Sequence, residues 1–151
     1  MTADSTTAPV LDVTPRKIKL YAWVLAGVLV VGHTAVALLL KVGGNTGLTF
    51  RTSDQVGMIL IGVVLACGAL LFTRPRLHLG PEGVTVRNLL NANTYPWDVV
   101  QGFSFPEGSQ FAHLDLPHDE FVAIWAIQAR DGEPAVQALH RAREIAAAYR
   151  A

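Results

Sequence analysis

With 151 residues, the chain has room for one ordinary domain, or for a small domain plus membrane spans. Hydrophobic residues make up 51% and charged residues only 16%, against about 25% charged in a soluble domain, which argues against a wholly soluble protein. Net charge is formally zero, but from Leu77 onward nine acidic residues face five arginines, a poor match for nucleic acid.

Residues 1–15 are rich in Thr, Ala, Ser and Pro and carry few large apolar side chains. Such a segment cannot bury enough surface to offset its ordering entropy, so it reads as a disordered tail. Arg16, Lys17 and Lys19 then precede an apolar run from Leu20 to Leu40, about the 20 residues needed to cross a bilayer core. A second uncharged run, from Val56 to Phe72, has about the minimum spanning length, and the linker between the two is rich in Gly and Thr. The expectation is a retained transmembrane hairpin over residues 18–73, with helices at about 18–40 and 55–73. The first run is too long for a secretory h-region, and no A-x-A-like site follows it. Basic residues set the orientation: Arg16, Lys17, Lys19, Arg74 and Arg76 flank one side, Lys41 and Arg51 the other. That bias places both termini in the cytoplasm and the protein in the inner membrane as a multi-pass protein.

Within the spans, His33 is an ionisable group in hydrocarbon and so a functional candidate. No carboxylate accompanies it, and a neutral imidazole bonded within the helix pair accounts for it as well. Gly57, Gly62, Ala66 and Gly68, with Ala22, Ala26 and Ala35, suit close helix contact inside the hairpin. Cys67, the sole cysteine, excludes an intramolecular disulfide and reads as a small buried apolar residue.

From residue 77 the pattern changes to alternation. Leu77–Leu79, Val84–Leu89, Thr94–Trp97, Val99–Phe105, Phe111–Leu116 and Phe121–Ala129 read as strands, separated by turn signals such as Gly80-Pro81-Glu82-Gly83 and Asn91-Ala92-Asn93. A final amphipathic helix follows, with Asp131 as its expected N-cap and Ala135, Leu139, Ala142, Ala146 and Tyr149 on one face.

Glu82-Gly83-Val84-Thr85-Val86-Arg87, followed by Tyr95-Pro96-Trp97-Asp98-Val99-Val100-Gln101-Gly102-Phe103, resembles the bacterial PH-like domain of actinobacterial membrane proteins. That family includes the low-molecular-weight protein antigen 6. The resemblance covers roughly residues 74–150. Pro96 and Val99 depart from the usual pattern beside the tryptophan. The implied fold is two transmembrane α-helices plus a β-rich α+β domain over 74–151. That domain would be a PH-like antiparallel barrel or sandwich of about six to seven strands, capped by the C-terminal helix. The resemblance brings no catalytic residue and no cofactor. The motif residues Gly83, Val84, Val86, Arg87, Trp97, Asp98 and Gly102 read as architecture: Gly83 at a hairpin, Trp97 as a core anchor, Gly102 at a bulge or close strand approach.

The sharpest chemical candidate is the polar cluster His113, Asp115, His118 and Asp119. His113 and Asp115 share a strand face, and His118-Asp119 lies in the adjoining turn. Its spacing fits zinc poorly, and no cysteine contributes. No P-loop, dinucleotide fingerprint, G-x-S-x-G or H-E-x-x-H occurs. The first hairpin loop, Gly80–Gly83, lacks Lys and Arg, so phosphoinositide recognition through it is not expected. Two readings follow. One is a non-catalytic scaffold integral to the bilayer, docking a protein partner or a second copy of itself at the cytoplasmic face. The other is a metal-binding or enzymatic membrane accessory using the His113–Asp119 cluster.

Overall fold

In the computed structural model, which describes residues 10–42 and 51–150, the chain divides into two compact units. One is residues 18–73, and the other joins the segment up to Lys17 with everything from Arg74 onward.

The first unit is a pair of helices, α1 (Lys17–Val42) and α2 (Thr52–Leu70), the second ending in a short 3-10 turn, Leu71–Thr73. Both are long and apolar enough to cross a membrane. The α2 start is fixed by the Asp54 carboxylate, which accepts from the Arg51 backbone N–H at 2.9 Å. At its end the Thr73 hydroxyl donates to the Leu70 carbonyl at 2.7 Å, and Pro75 prevents continuation. The helices meet along small residues: Ala26, Ala66 and Ala69 are buried together, with Leu29, Val30 and Leu70 around them. His33 packs on Gly62, where an added Cβ would lie 2.7 Å from the His33 Cβ. The His33 Nδ1–H donates to the Leu29 carbonyl one turn back, at 2.7 Å, and the Gln55 amide donates to the Ala37 carbonyl at 2.9 Å. Gly57, Gly68 and Ala35 lie away from this contact, and Cys67 is exposed on the outer face rather than buried.

Gly62→Val should therefore overpack the helix pair by about 1–3 kcal/mol. The expected readout is a sharp fall in disulfide yield between Ala26→Cys and Ala66→Cys in a Cys67→Ala background, with Gly68→Val as the harmless control.

The second unit has seven strands in two antiparallel sheets. The first sheet has the order β1-β2-β3-β4: Leu11–Val13, Arg76–Gly80, Gly83–Arg87 and Ala92–Tyr95. The second has the order β5-β6-β7: Gly102–Ser104, Phe111–Asp115 and Phe121–Gln128. Helix α3 (Glu133–Arg150) packs against them. The two sheets do not close into a barrel. Alternation works as the sequence implies. Leu77 and Leu79 on β2, Val84 and Val86 on β3, and Ala112 and Leu114 on β6 point inward, meeting Ile124, Ala126 and the α3 residues Ala135, Leu139, Ala142 and Ala146. α3 is also pinned by charge-assisted hydrogen bonds. Arg143 Nε donates to the Phe103 carbonyl at 2.9 Å, and Arg150 donates to the Val100 carbonyl.

The largest departure from expectation lies at the N-terminus. Residues 1–9 of the expected disordered tail fall outside the described residues, but Leu11–Val13 is strand β1. It pairs antiparallel with β2, Leu11 opposite Leu79 and Val13 opposite Leu77. Leu11 and Val13 pack on the core, each worth roughly 1–2 kcal/mol for its partial burial. Asp12 faces His78, with carboxylate and ring 3.6 Å apart. Pro15 is fully buried. Lys17 ends the segment, its backbone N–H donating to Asp131 Oδ1 at 3.2 Å and its ammonium to the Arg130 carbonyl at 2.7 Å. The β unit is thus discontinuous in sequence, with the whole helix pair inserted between its first and second strands.

Smaller corrections follow from local geometry. The turn expected at Asn91-Ala92-Asn93 is displaced to Asn88–Asn91, closed by the Asn88 N–H on the Asn91 carbonyl at 2.9 Å. The strand expected over Val99–Phe105 shrinks to Gly102–Ser104, because residues 96–99 form a turn. Asp131 is not the α3 cap: the Gly132 carbonyl accepts the first helical bonds, from Ala135 and Val136. Gly102 sits at no bulge and has space for a Cβ, with Asp115 at an ordinary 3.6 Å; the bulge lies at Phe111/Ala112.

Candidate functional site

The outer face of the second sheet gathers most of the side chains singled out above. On β6, Phe111, His113 and Asp115 point outward, and on β7 so do Phe121, Ala123 and Trp125. They form two aromatic pairs off the direct register, which sets Phe111 opposite Gln128 and His113 opposite Ala123. Phe111 stacks on Trp125 with centroids 5.3 Å apart. The His113 ring stacks on Phe121 at 4.2 Å and 8°. Phe121 is 59% exposed, so this is an open apolar surface.

Beside the second pair lies a shallow depression of about 580 Å³, lined among others by Ser104, His113, Asp115, Asp119, Glu120 and Phe121. Three of the four expected cluster residues therefore converge there. His118 does not line it. The connecting turn explains why: His118 and Asp119 take left-handed backbone angles, φ 64° and 58°, which carry Asp119 toward the depression. No group of three or more His, Cys, Asp or Glu side chains is placed to hold a metal ion among the described residues.

Hydrogen bonding argues against nucleophile chemistry too. Ser104 donates to Asp115 Oδ1 at 2.7 Å, so the carboxylate orients a hydroxyl and not an imidazole. Ser109 donates to the Phe111 carbonyl at 2.7 Å, while His113 Nε2 stands at 3.4 Å. Its proton is committed to the carbonyl, and no carboxylate hydrogen bond orients the His113 ring among the described residues. A serine activated by an oriented base needs both links.

Gly83, Val84, Val86 and Trp97 of the motif are held in the packing of the fold. Gly83 has φ 132°, and a Cβ there would lie 2.2 Å from the Tyr95 carbonyl oxygen. Trp97 donates its indole N–H to the Gly80 carbonyl at 2.8 Å and stacks on Tyr149 of α3 at 4.9 Å. Val84 and Val86 are core residues, and Asp98 is exposed in the turn after β4. Arg87 stands opposite Arg76 across the β2–β3 ladder. The Phe121 and Trp125 contributions were missed by sequence reading, which took Phe121–Ala129 only as a strand. Period two within the run was the available signal.

Seven strands in a four-plus-three arrangement with a packed terminal helix define a small two-sheet module of PH-like architecture. The model of the bacterial PH domain family matches residues 74–145. The chain is 46% identical over 136 residues to an uncharacterized protein of Mycobacterium bovis and, to the same extent, to uncharacterized proteins of two strains of Mycobacterium tuberculosis. These matches cover 90% of this chain and 88% of each relative, so they necessarily take in both apolar helices. No solved structure matches it. The chain belongs to the bacterial PH domain family.

Proposed function

We propose that this protein is a membrane-anchored, non-catalytic docking module that presents its PH-like domain at the cytoplasmic face and binds a protein partner there. The observation that carries the anchoring is the pair of helices long and apolar enough to cross a membrane, and the pairing of β1 with β2 supports their return to one side. The segment before the helix pair and the domain after it form one folded unit, as an out-and-back path of α1 and α2 requires. That argument is independent of the five basic residues against two that favour the cytoplasmic side.

Docking is supported by the outer face of the second sheet. Its exposed Phe121 shares a depression with Asp115, Asp119 and Glu120, with no Lys or Arg lining it among the described residues, and the Phe111/Trp125 stack adds apolar surface on the same face. Such a surface suits a partner segment that combines apolar and basic side chains.

The test is photo-crosslinking in intact cells, with the reactive residue at Phe121 and, as control, at Thr94 on the outer face of the other sheet. The reading expects a discrete adduct from Phe121 only. It is overturned if neither position captures a protein while the purified chain holds near-stoichiometric metal lost in His113→Ala.

A further inference from the structure

On the outer face of the first sheet one pairing runs against the usual cross-strand preference. Arg76 of β2 stands directly opposite Arg87 of β3, and like charges so placed repel. Neither they nor Arg74 have an ion-pair or hydrogen-bond partner among the described residues, whereas Arg143 and Arg150 are engaged by backbone carbonyls. Asp12 of β1, on the same face, lies 3.6 Å from His78, and β2, β3 and β4 carry no acidic residue to offset the arginines.

Strand direction collects these charges at one end of the sheet. β2 enters there from Thr73, β3 leaves there, and the Asn88–Asn91 turn lies just beyond. In that turn Leu90 is 76% exposed, more than any other large apolar side chain among the described residues. Leu89 precedes it, and a cavity of about 270 Å³ beneath them is lined by Val86, Val122 and Trp125. The opposite end, the Gly80–Gly83 turn, carries Glu82 instead. An apolar tip at the same sheet end as unpaired cations is the composition of a surface that meets an anionic lipid interface.

We propose that this end of the domain is a second membrane contact. Arg74, Arg76 and Arg87 take phosphates of anionic phospholipids, and Leu90 with Leu89 enters the boundary between headgroups and acyl chains. The inference rests on reading α1 and α2 as spans, because chain connectivity brings this end to the bilayer. Arg76 is three residues past Thr73, a reach of at most about 10 Å. The tether keeps the local lipid concentration high, so modest contacts suffice. Each arginine shifts the docked-to-undocked ratio by about fivefold, and burial of Leu90 shifts it by on the order of tenfold. Docking fixes the orientation of the domain on the membrane without an enclosed headgroup pocket.

The test uses the full chain, Cys67→Ala, in nanodiscs, with a nitroxide at Asn91→Cys so that both leucines stay in place. Accessibility to an aqueous nickel chelate is compared between discs of phosphatidylcholine alone and discs that also contain phosphatidylglycerol. We expect strong protection of Asn91→Cys in the anionic discs, lost on Arg76→Gln/Arg87→Gln or on Leu89→Ser/Leu90→Ser. A label at Glu82→Cys should stay aqueous in both. A label at Val31→Cys, mid-helix in α1, reports the spans separately. If Val31→Cys is in hydrocarbon but Asn91→Cys is as aqueous as Glu82→Cys, the second contact is wrong and the anchoring stands. If Val31→Cys is itself aqueous, both fall. Protection that survives Arg76→Gln/Arg87→Gln overturns the phosphate contact.

Discussion

Gly83→Ala should destabilise the β unit by at least about 3 kcal/mol, enough to leave much of it unfolded. Two costs combine. The backbone at φ 132° lies in a region that only glycine occupies freely, worth about 1–3 kcal/mol for any other residue. The new Cβ would also stand 2.2 Å from the Tyr95 carbonyl oxygen and 2.9 Å from the Pro96 Cα. Both are backbone atoms, so no rotamer change relieves the overlap. The measurement is thermal unfolding of the full chain in detergent, followed by tryptophan fluorescence, since Trp97 and Trp125 both lie in this unit. Gly102→Ala should be nearly neutral by the same assay, because its nearest neighbour, Asp115, is at 3.6 Å. If the two variants behave alike, the geometric account of Gly83 is wrong.

Trp97→Ala should cost about 3–4 kcal/mol through lost packing and the void left behind. Trp97→Phe isolates a polar part of the interaction. It keeps a ring against Tyr149 but leaves the Gly80 carbonyl without its indole donor, a loss of about 1–2 kcal/mol. A double-mutant cycle with Tyr149→Leu should return a coupling of roughly 1 kcal/mol. Additive losses in that cycle would show that the indole does not join the strand layer to α3. The pair joins the turn after β4 to the last turn of α3, so the stack is one reason the terminal helix seats where it does.

The strands with clean alternation were legible in the sequence: β2, β3 and β6 carry their inward residues at every second position, and α3 carries its alanines at helical spacing. β1 was not legible. Three residues in a Thr- and Pro-rich segment have no strand pattern of their own, and what makes them a strand is the open edge of β2, far along the chain. Its discovery also renumbers the hairpins. The loop judged for lipid contact, Gly80–Gly83, joins the second and third strands. The connection between the first and second is the helix pair itself, flanked by Arg16, Lys17 and Arg74.

The site was partly readable. Convergence of His113, Asp115 and Asp119 followed from strand parity and a short turn, but the exclusion of His118 depended on two left-handed residues that no propensity announces. The Arg76–Arg87 pair was within reach: a two-residue turn at Pro81-Glu82 pairs Gly80 with Gly83 and, four rungs on, Arg76 with Arg87. The unfilled charge of that rung emerges only once the register is drawn.

The insertion of α1 and α2 between β1 and β2 also sets an order of events during synthesis. β1 leaves the ribosome before α1 and α2, yet its partner edge is made only after both apolar helices have followed. On the proposed anchoring, the helices are inserted and turned back while it waits. Only a chain whose hairpin has returned to the side on which it started can bring Leu77 and Leu79 alongside Val13 and Leu11. On that proposal, closure of the first sheet would act as a check on membrane insertion: a mis-threaded chain would be left with an unpaired β2 edge, the kind of exposed backbone that quality-control proteases engage.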